Sequence, residues 1–165
     1  MSCIDVPSSE IAGCEVLAAA ERHCGERGVI LLVEDEALVR KVTCEVLQSA
    51  GYRVLKAKNS AEAVRTFMQY GAEVDLLLTD VIMPGRNGHE LAHRLREICS
   101  GLRTILTSGY PETSIPGIQP HEAGVFYLPK PYSAQSLILK VQEALAEEFQ
   151  PAAVAELAKR AACNG

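Results

Sequence analysis

Residues 74–88 read VDLLLTDVIMPGRNG, and the fold follows from how this stretch is parsed. Val74 to Thr79 is an apolar run with Asp75 near its start, and Asp80 closes it. Pro84 and Gly85 break the chain, and a helical pattern begins after Gly88. A short apolar run bounded by turn residues is the pattern of a strand buried on both faces, as in a parallel sheet. A carboxylate at the C-terminal end of such a strand stands where open α/β sheets bind ligands. The same aspartate could do no more than cap the following turn. The other strand ends decide between these readings.

Working outward, Val29–Val33 (VILLV) is a second buried strand, and Glu34, Asp35 and Glu36 follow it. Three successive acids repel one another unless a cation or solvent compensates. N-capping by Asp35 and dipole matching by Glu36 would account for one or two of them. Residues 37–50 carry Leu38, Val42 and Val46 at i, i+4, i+8, which predicts an amphipathic helix with these residues inward, ended by Gly51. Tyr52 to Ala57 is a strand. Ser60 is expected to cap a helix reaching about Tyr70, with Ala63, Val64 and Phe67 inward and Gly71 at its end.

After the central strand, a helix is predicted from about Asn87 to Cys99, with Leu91, Leu95 and Ile98 on one face. Thr104–Thr107 is a fourth strand, followed by Ser108, Gly109 and Tyr110. Pro111, Pro116, Gly117 and Pro120 allow only a short or broken helix between 111 and 123. Val125–Leu128 is the fifth strand, ending in Pro129, Lys130 and Pro131. Ser133 caps a last core helix to about Phe149, with Leu137, Val141 and Leu145 inward. Helices between short buried strands make this an α/β fold, a parallel sheet with helices on both faces.

The composition agrees with a single globular domain: 165 residues, 48% of them hydrophobic. A net charge of −5 argues against nucleic acid as the main partner. No apolar run approaches the ~18 residues of a membrane span, and no secretory signal opens the chain. Six cysteines without a CxxC pair fit reduced thiols in the cytoplasm better than a disulfide framework or a zinc cluster.

All strands of a parallel sheet end at one edge. Glu34, Asp35, Asp80, Ser108 and Lys130 therefore converge on one crevice. Clustered carboxylates suit a hard divalent cation with oxygen ligands, Mg²⁺ above all. A lysine and a hydroxyl beside them suit a phosphoryl group. Together they can support in-line phosphoryl transfer to an aspartate.

Four motifs carry a resemblance: VILLVEDE, DLLLTDVIMPGRNG, ILTSGY and FYLPKPY, in this order with helix-sized gaps. In combination they resemble the response-regulator receiver domains of two-component signalling, over about residues 28–148. The resemblance implies a flavodoxin-like (βα)5 fold with a five-stranded parallel sheet. It implies Asp80 as phosphoacceptor, and Mg²⁺ held by Glu34, Asp35, Asp80 and the backbone carbonyl of Ile82. Ser108 matches the hydroxyl that bonds the phosphoryl oxygen, Lys130 the lysine that pairs with it, and Tyr127 the aromatic switch that turns inward. A sensor histidine kinase or histidine phosphotransfer protein is the implied donor, and slow autodephosphorylation the only further chemistry. Glu34 stands where aspartate is usual, Ser108 where threonine is usual, and Tyr132 where phenylalanine is frequent. The proline-rich segment departs further, at the output face that the family builds on its fourth helix.

Two rival readings compete with this one. His89-Glu90-Leu91-Ala92-His93 is a literal HExxH, the zinc-metalloprotease motif. On the predicted third helix, however, both histidines point away from Leu91, Leu95 and Ile98, toward solvent. The second rival is a receiver-like module that binds partners and is never phosphorylated, against which all five polar site residues stand.

Residues 1–27 are expected to be an extension or linker, and residues 149–165 a short helical tail. Val154, Leu157 and Ala161 share one face of that tail, too little apolar area for independent stability. It is expected to dock on the domain or on a second copy, as a homodimer. The remainder after residue 148 is too short for a DNA-binding output domain. The TSGYP and LPKPY wording is similar to receivers at the ends of hybrid kinases, so a stand-alone receiver and a hybrid-kinase module both remain open.

Overall fold

The computed structural model describes residues 27–111 and 122–146. The expectations for the two termini and for the proline-rich stretch between 112 and 121 lie outside these residues. The described elements are β1 (Val29–Val33), α1 (Ala37–Ser49), β2 (Arg53–Ala57), α2 (Ser60–Tyr70), β3 (Leu76–Asp80), β4 (Ile82–Met83), β5 (Arg86–Asn87), α3 (Gly88–Ile98), β6 (Arg103–Ser108), β7 (Val125–Pro129) and α4 (Ala134–Ala146). Five strands form one parallel sheet in the order β2-β1-β3-β6-β7. This is the flavodoxin-like α/β architecture.

Strand alternation divides the core between the two faces of the sheet. Leu31 and Val33 of β1, Leu77 of β3 and Leu106 of β6 pack with Ala63 and Phe67 of α2 and Leu91 and Leu95 of α3. The intervening Ile30, Leu32, Leu76, Leu78 and Ile105 pack with Cys44 and Leu47 of α1 and Leu137, Val141 and Ala144 of α4. Each fully buried Leu or Ile stabilises the fold by roughly 1.5–3 kcal/mol relative to exposure. A core of this extent tolerates a buried acid at the end of one strand.

The structure corrects several sequence expectations. In α1 the buried residues are Thr43, Cys44 and Leu47, with Val46 packed partly buried beside them as expected, whereas Leu38 is 68% and Val42 is 51% exposed. The inward stripe runs through Arg40, Thr43, Cys44 and Leu47, at i, i+3, i+4, i+7. Its polar members disguised it, and the more apolar Leu38–Val42 row faces outward. In α3, Ile98 is 48% exposed, while Leu91, Ala92 and Leu95 are buried. Ile98 is the last residue of that helix, and Cys99 packs on the core in its place.

The cap of α2 is Asn59 rather than Ser60. The Asn59 carboxamide oxygen accepts from the Glu62 amide at 2.8 Å, and the Glu62 carboxylate accepts from the Lys58 amide at 2.9 Å. Ser133 does act as expected, accepting from the Ser136 amide at 3.0 Å ahead of α4. The β4–β5 hairpin was not foreseen. Pro84 and Gly85 form its turn, and Gly85 takes φ 86°, the left-handed value that favours glycine after proline.

Candidate functional site

Register brings the strand ends level. Val33 pairs with Thr79, Asp80 with Thr107, and Ser108 with Pro129. The residues at or just beyond those positions therefore lie along one edge of the sheet. Oxygen atoms of Glu34, Asp35 and Asp80, one from each carboxylate, lie within 4.8 Å of one another. Lys130 reaches into this group: its Nζ stands 2.7 Å from Asp80 Oδ2 and 3.2 Å from Glu34 Oε2.

Two of the carboxylates are held by their local backbone. Glu34 is buried, and its Oε1 accepts from the Glu36 amide at 3.2 Å. Asp80 Oδ1 accepts from the Ile82 amide at 3.2 Å. Asp80 thus orders the following turn with one oxygen and meets Lys130 with the other. The Lys130 amide donates to the Ser108 carbonyl at 2.8 Å, which fixes the start of the β7–α4 connection against β6. Gly88 is required by packing. A Cβ there would sit 1.9 Å from the Asp80 carbonyl oxygen.

The capping role considered for Asp35 is absent. The N-cap of α1 is Glu36, without a side-chain capping bond, and the Asp35 side chain is exposed beside the other two acids. The helix start takes only one oxygen of Glu34 and none of Asp35's capping capacity. Oxygen donors without nitrogen or sulfur form the donor set that a hard divalent cation takes.

Electrostatics reflect the crowding. Burial raises the pKa of Glu34, and the Lys130 charge only partly opposes this. Burial alone would lower the pKa of Lys130, but its hydrogen bond to Asp80 and the charges of Asp80 and Glu34 outweigh that effect and raise it. Burial also pushes up the Tyr132 hydroxyl, offset in part by a hydrogen bond with Thr43.

Ser108 is buried at the end of β6, and its Oγ accepts from the Tyr110 amide at 3.0 Å. Tyr127 pairs in register with Leu106 and is half-buried against the α2–α3 side of the core. The Ile82 side chain is exposed at the hairpin beside Asp80. Of the rival zinc motif, His93 is exposed with Nδ1 3.5 Å from Glu97 Oε1, and His89 is half-buried rather than open to solvent. Among the described residues the metal-competent cluster is Glu34, Asp35 and Asp80, and neither histidine belongs to it.

Sequence reasoning missed Arg40. Its Nη1 donates to the Glu34 carbonyl at 2.6 Å and to the Asp35 carbonyl at 3.2 Å. The available signal was a basic residue on the same helical stripe as Thr43, Cys44 and Leu47, one turn after the acids.

A family model for the response regulator receiver domain matches residues 30–142. The chain belongs to the response regulator receiver family. It is 38% identical over 119 residues to the sensor kinase CckA of Brucella abortus (strain 2308), a match covering 72% of this chain and 13% of the kinase. This receiver thus corresponds to a small part of that relative's length. A crystal structure of the receiver domain of the hybrid histidine kinase CckA is similar at a TM-score of 0.62 and 36% identity, covering 72% of this chain and 99% of that one. The response regulator TrrA of Thermotoga maritima, crystallised in complex with Mg(2+)-BeF, is similar at a TM-score of 0.62 and 30% identity, covering 72% and 99%. The chain is a receiver domain of two-component signalling, and its acidic pocket is consistent with a phosphoacceptor site. No helix among the described residues is long and apolar enough to cross a membrane.

Proposed function

We propose that Asp80 accepts a phosphoryl group from the phosphohistidine of a sensor histidine kinase or histidine phosphotransfer protein, with Mg²⁺ bound beside it. The observation that carries this reading is the 2.7 Å contact of Lys130 Nζ with Asp80 Oδ2 inside a cluster of three carboxylates. The Mg²⁺ complex of the similar Thermotoga maritima regulator supports it.

Glu34, Asp35, Asp80 and the backbone carbonyl of Ile82 would hold the cation. When bound, Mg²⁺ neutralises charge on the oxygens of the transferring group. A carboxylate oxygen of Asp80 forms the new O–P bond as the N–P bond breaks and the imidazole leaves with its electron pair. Lys130 exchanges its contact with Asp80 for one with a phosphoryl oxygen. The Ser108 hydroxyl moves to donate to a second oxygen. That movement vacates space near the end of β6, and Tyr127, on the neighbouring β7, turns inward to fill it. Hydrolysis of the acyl phosphate returns the domain to its first state.

In this reading residues 28–148 are the signalling unit, flanked by a linker and a tail. The scattered cysteines, without a CxxC pair, support a cytoplasmic setting.

Borohydride reduction after phosphorylation locates the acceptor, because it converts an acyl-phosphoaspartate to homoserine. Homoserine is expected at position 80. Conversion at Asp35 or Asp75 instead would contradict the assignment.

A further inference from the structure

Arg40 occupies a position that helical periodicity assigns to the core. It is half-buried at the head of the inward stripe completed by Thr43, Cys44 and Leu47. A guanidinium placed there needs acceptors. It finds them in the carbonyl oxygens of Glu34 and Asp35, at 2.6 Å and 3.2 Å from one Nη1. Both acceptors belong to the bend between β1 and α1, whose helix starts without a side-chain capping bond. That bend must hold two carboxylates toward Asp80 against their mutual repulsion. Arg40 ties down the peptide planes that carry them and leaves the carboxylates themselves unspent.

We infer that Arg40 is a positioning residue that sets the affinity of the acidic cluster for its divalent cation. The inference rests on the reading of Glu34, Asp35 and Asp80 as a Mg²⁺ site. Two effects of Arg40 oppose each other. Its positive charge disfavours a cation nearby, whereas its two hydrogen bonds preorganise the oxygen ligands. Ordering of ligands by surrounding hydrogen bonds is worth roughly 10-fold or more in metal affinity. The guanidinium bonds carbonyl oxygens and not the carboxylates, so its opposing charge contributes less. Positioning therefore dominates, and the sign of the mutational effect separates the two.

The test compares the 165-residue wild type with Arg40→Met and Arg40→Lys, titrated with Mg²⁺ and followed by amide NMR shifts of residues 34–36 and 80–82. Hydrogen exchange of the Glu36 and Ala37 amides is measured without metal. Arg40→Met is expected to bind Mg²⁺ roughly 10-fold more weakly and to exchange faster at those amides. Arg40→Lys is expected to recover most of both, since one ammonium can serve both carbonyls. Binding by Arg40→Met as tight as or tighter than wild type would show that Arg40 acts through charge alone or not at all, and would overturn the inference. So would equal loss in both variants, the mark of a merely structural role. Wild-type protein that binds no Mg²⁺ would overturn the reading of the site itself, and Arg40's role with it.

Discussion

Lys130 and Asp80, fifty positions apart in the chain, meet at 2.7 Å between Nζ and Oδ2. The contact forms because β3 and β7 both flank β6 and end at the same edge. It balances one of three clustered carboxylates, and Lys130 shares its charge with Glu34 at 3.2 Å. The site therefore carries excess negative charge in the absence of a cation, and its mutational behaviour follows from that excess.

Glu34→Gln is expected to stabilise the metal-free protein and to weaken its response to Mg²⁺. The pKa of Glu34 is raised in the fold. Its stabilising contribution is fully present below the unfolded value and is lost as pH rises through the folded one. Above the folded value the ionised side chain therefore costs stability, which the amide removes. Wild type should gain about 2.7 kcal/mol when Mg²⁺ reaches a hundred times its Kd, and the variant much less. Thermal melts with and without Mg²⁺ measure both; a variant less stable than wild type without metal would contradict the account.

Lys130→Met should destabilise the metal-free fold by about 1–3 kcal/mol, because Glu34 and Asp80 lose the ammonium between them. The pKa of Lys130 is raised. Its contribution is fully present below about 10.5 and is lost as pH rises through the folded value. The stability gap between wild type and variant, read from urea unfolding, should be widest near neutrality and close in strongly alkaline solution. A gap that widens with alkalinity would be inconsistent with the pairing.

Gly88→Ala should cost about 1–3 kcal/mol of overpacking strain and disturb Asp80. The added methyl would meet the Asp80 carbonyl oxygen at 1.9 Å unless the backbone moved. Unfolding curves give the loss, and amide shifts at residues 80–82 report the displacement. An unperturbed, equally stable variant would show that the β5–α3 junction has slack that the structure lacks.

Ser108→Ala should separate acceptance from response. It is expected to take up the phosphoryl group at a lower rate, while the surface near Tyr127 responds less. In the free protein the Ser108 hydroxyl accepts from the Tyr110 amide at 3.0 Å, which leaves its own proton to donate to a phosphoryl oxygen. NMR shifts of residues 103–108 and 125–132, with and without beryllofluoride, read the coupling. A wild-type response in Ser108→Ala would route the switch through another residue.

The strands were legible because their apolar runs are short, bounded and buried on both faces, as in VILLV and LLLT. The acids were legible because VEDE and LLTD place them at strand ends, where parallel topology gathers them. Helix faces were less so. In α1 the Leu38–Val42 row is the more apolar one, but Thr43, Cys44 and Leu47 face the sheet. The side that packs is set by the tertiary approach of β1 and α4, which composition does not encode. Arg40 lies on that misread stripe, and its partners are backbone carbonyls, which leave no side-chain signature. The β4–β5 hairpin was concealed within a stretch whose Pro84 and Gly85 signalled only a break.

Phosphorylation of Asp80 is read by intact-mass spectrometry of wild type and Asp80→Asn after incubation with acetyl phosphate, each with and without Mg²⁺. Wild type with Mg²⁺ is expected to gain the mass of one phosphoryl group. Wild type without Mg²⁺ and Asp80→Asn under either condition should stay at their original masses. Equal labelling of Asp80→Asn and wild type, or labelling of wild type that is indifferent to Mg²⁺, would contradict Mg²⁺-dependent phosphorylation of Asp80.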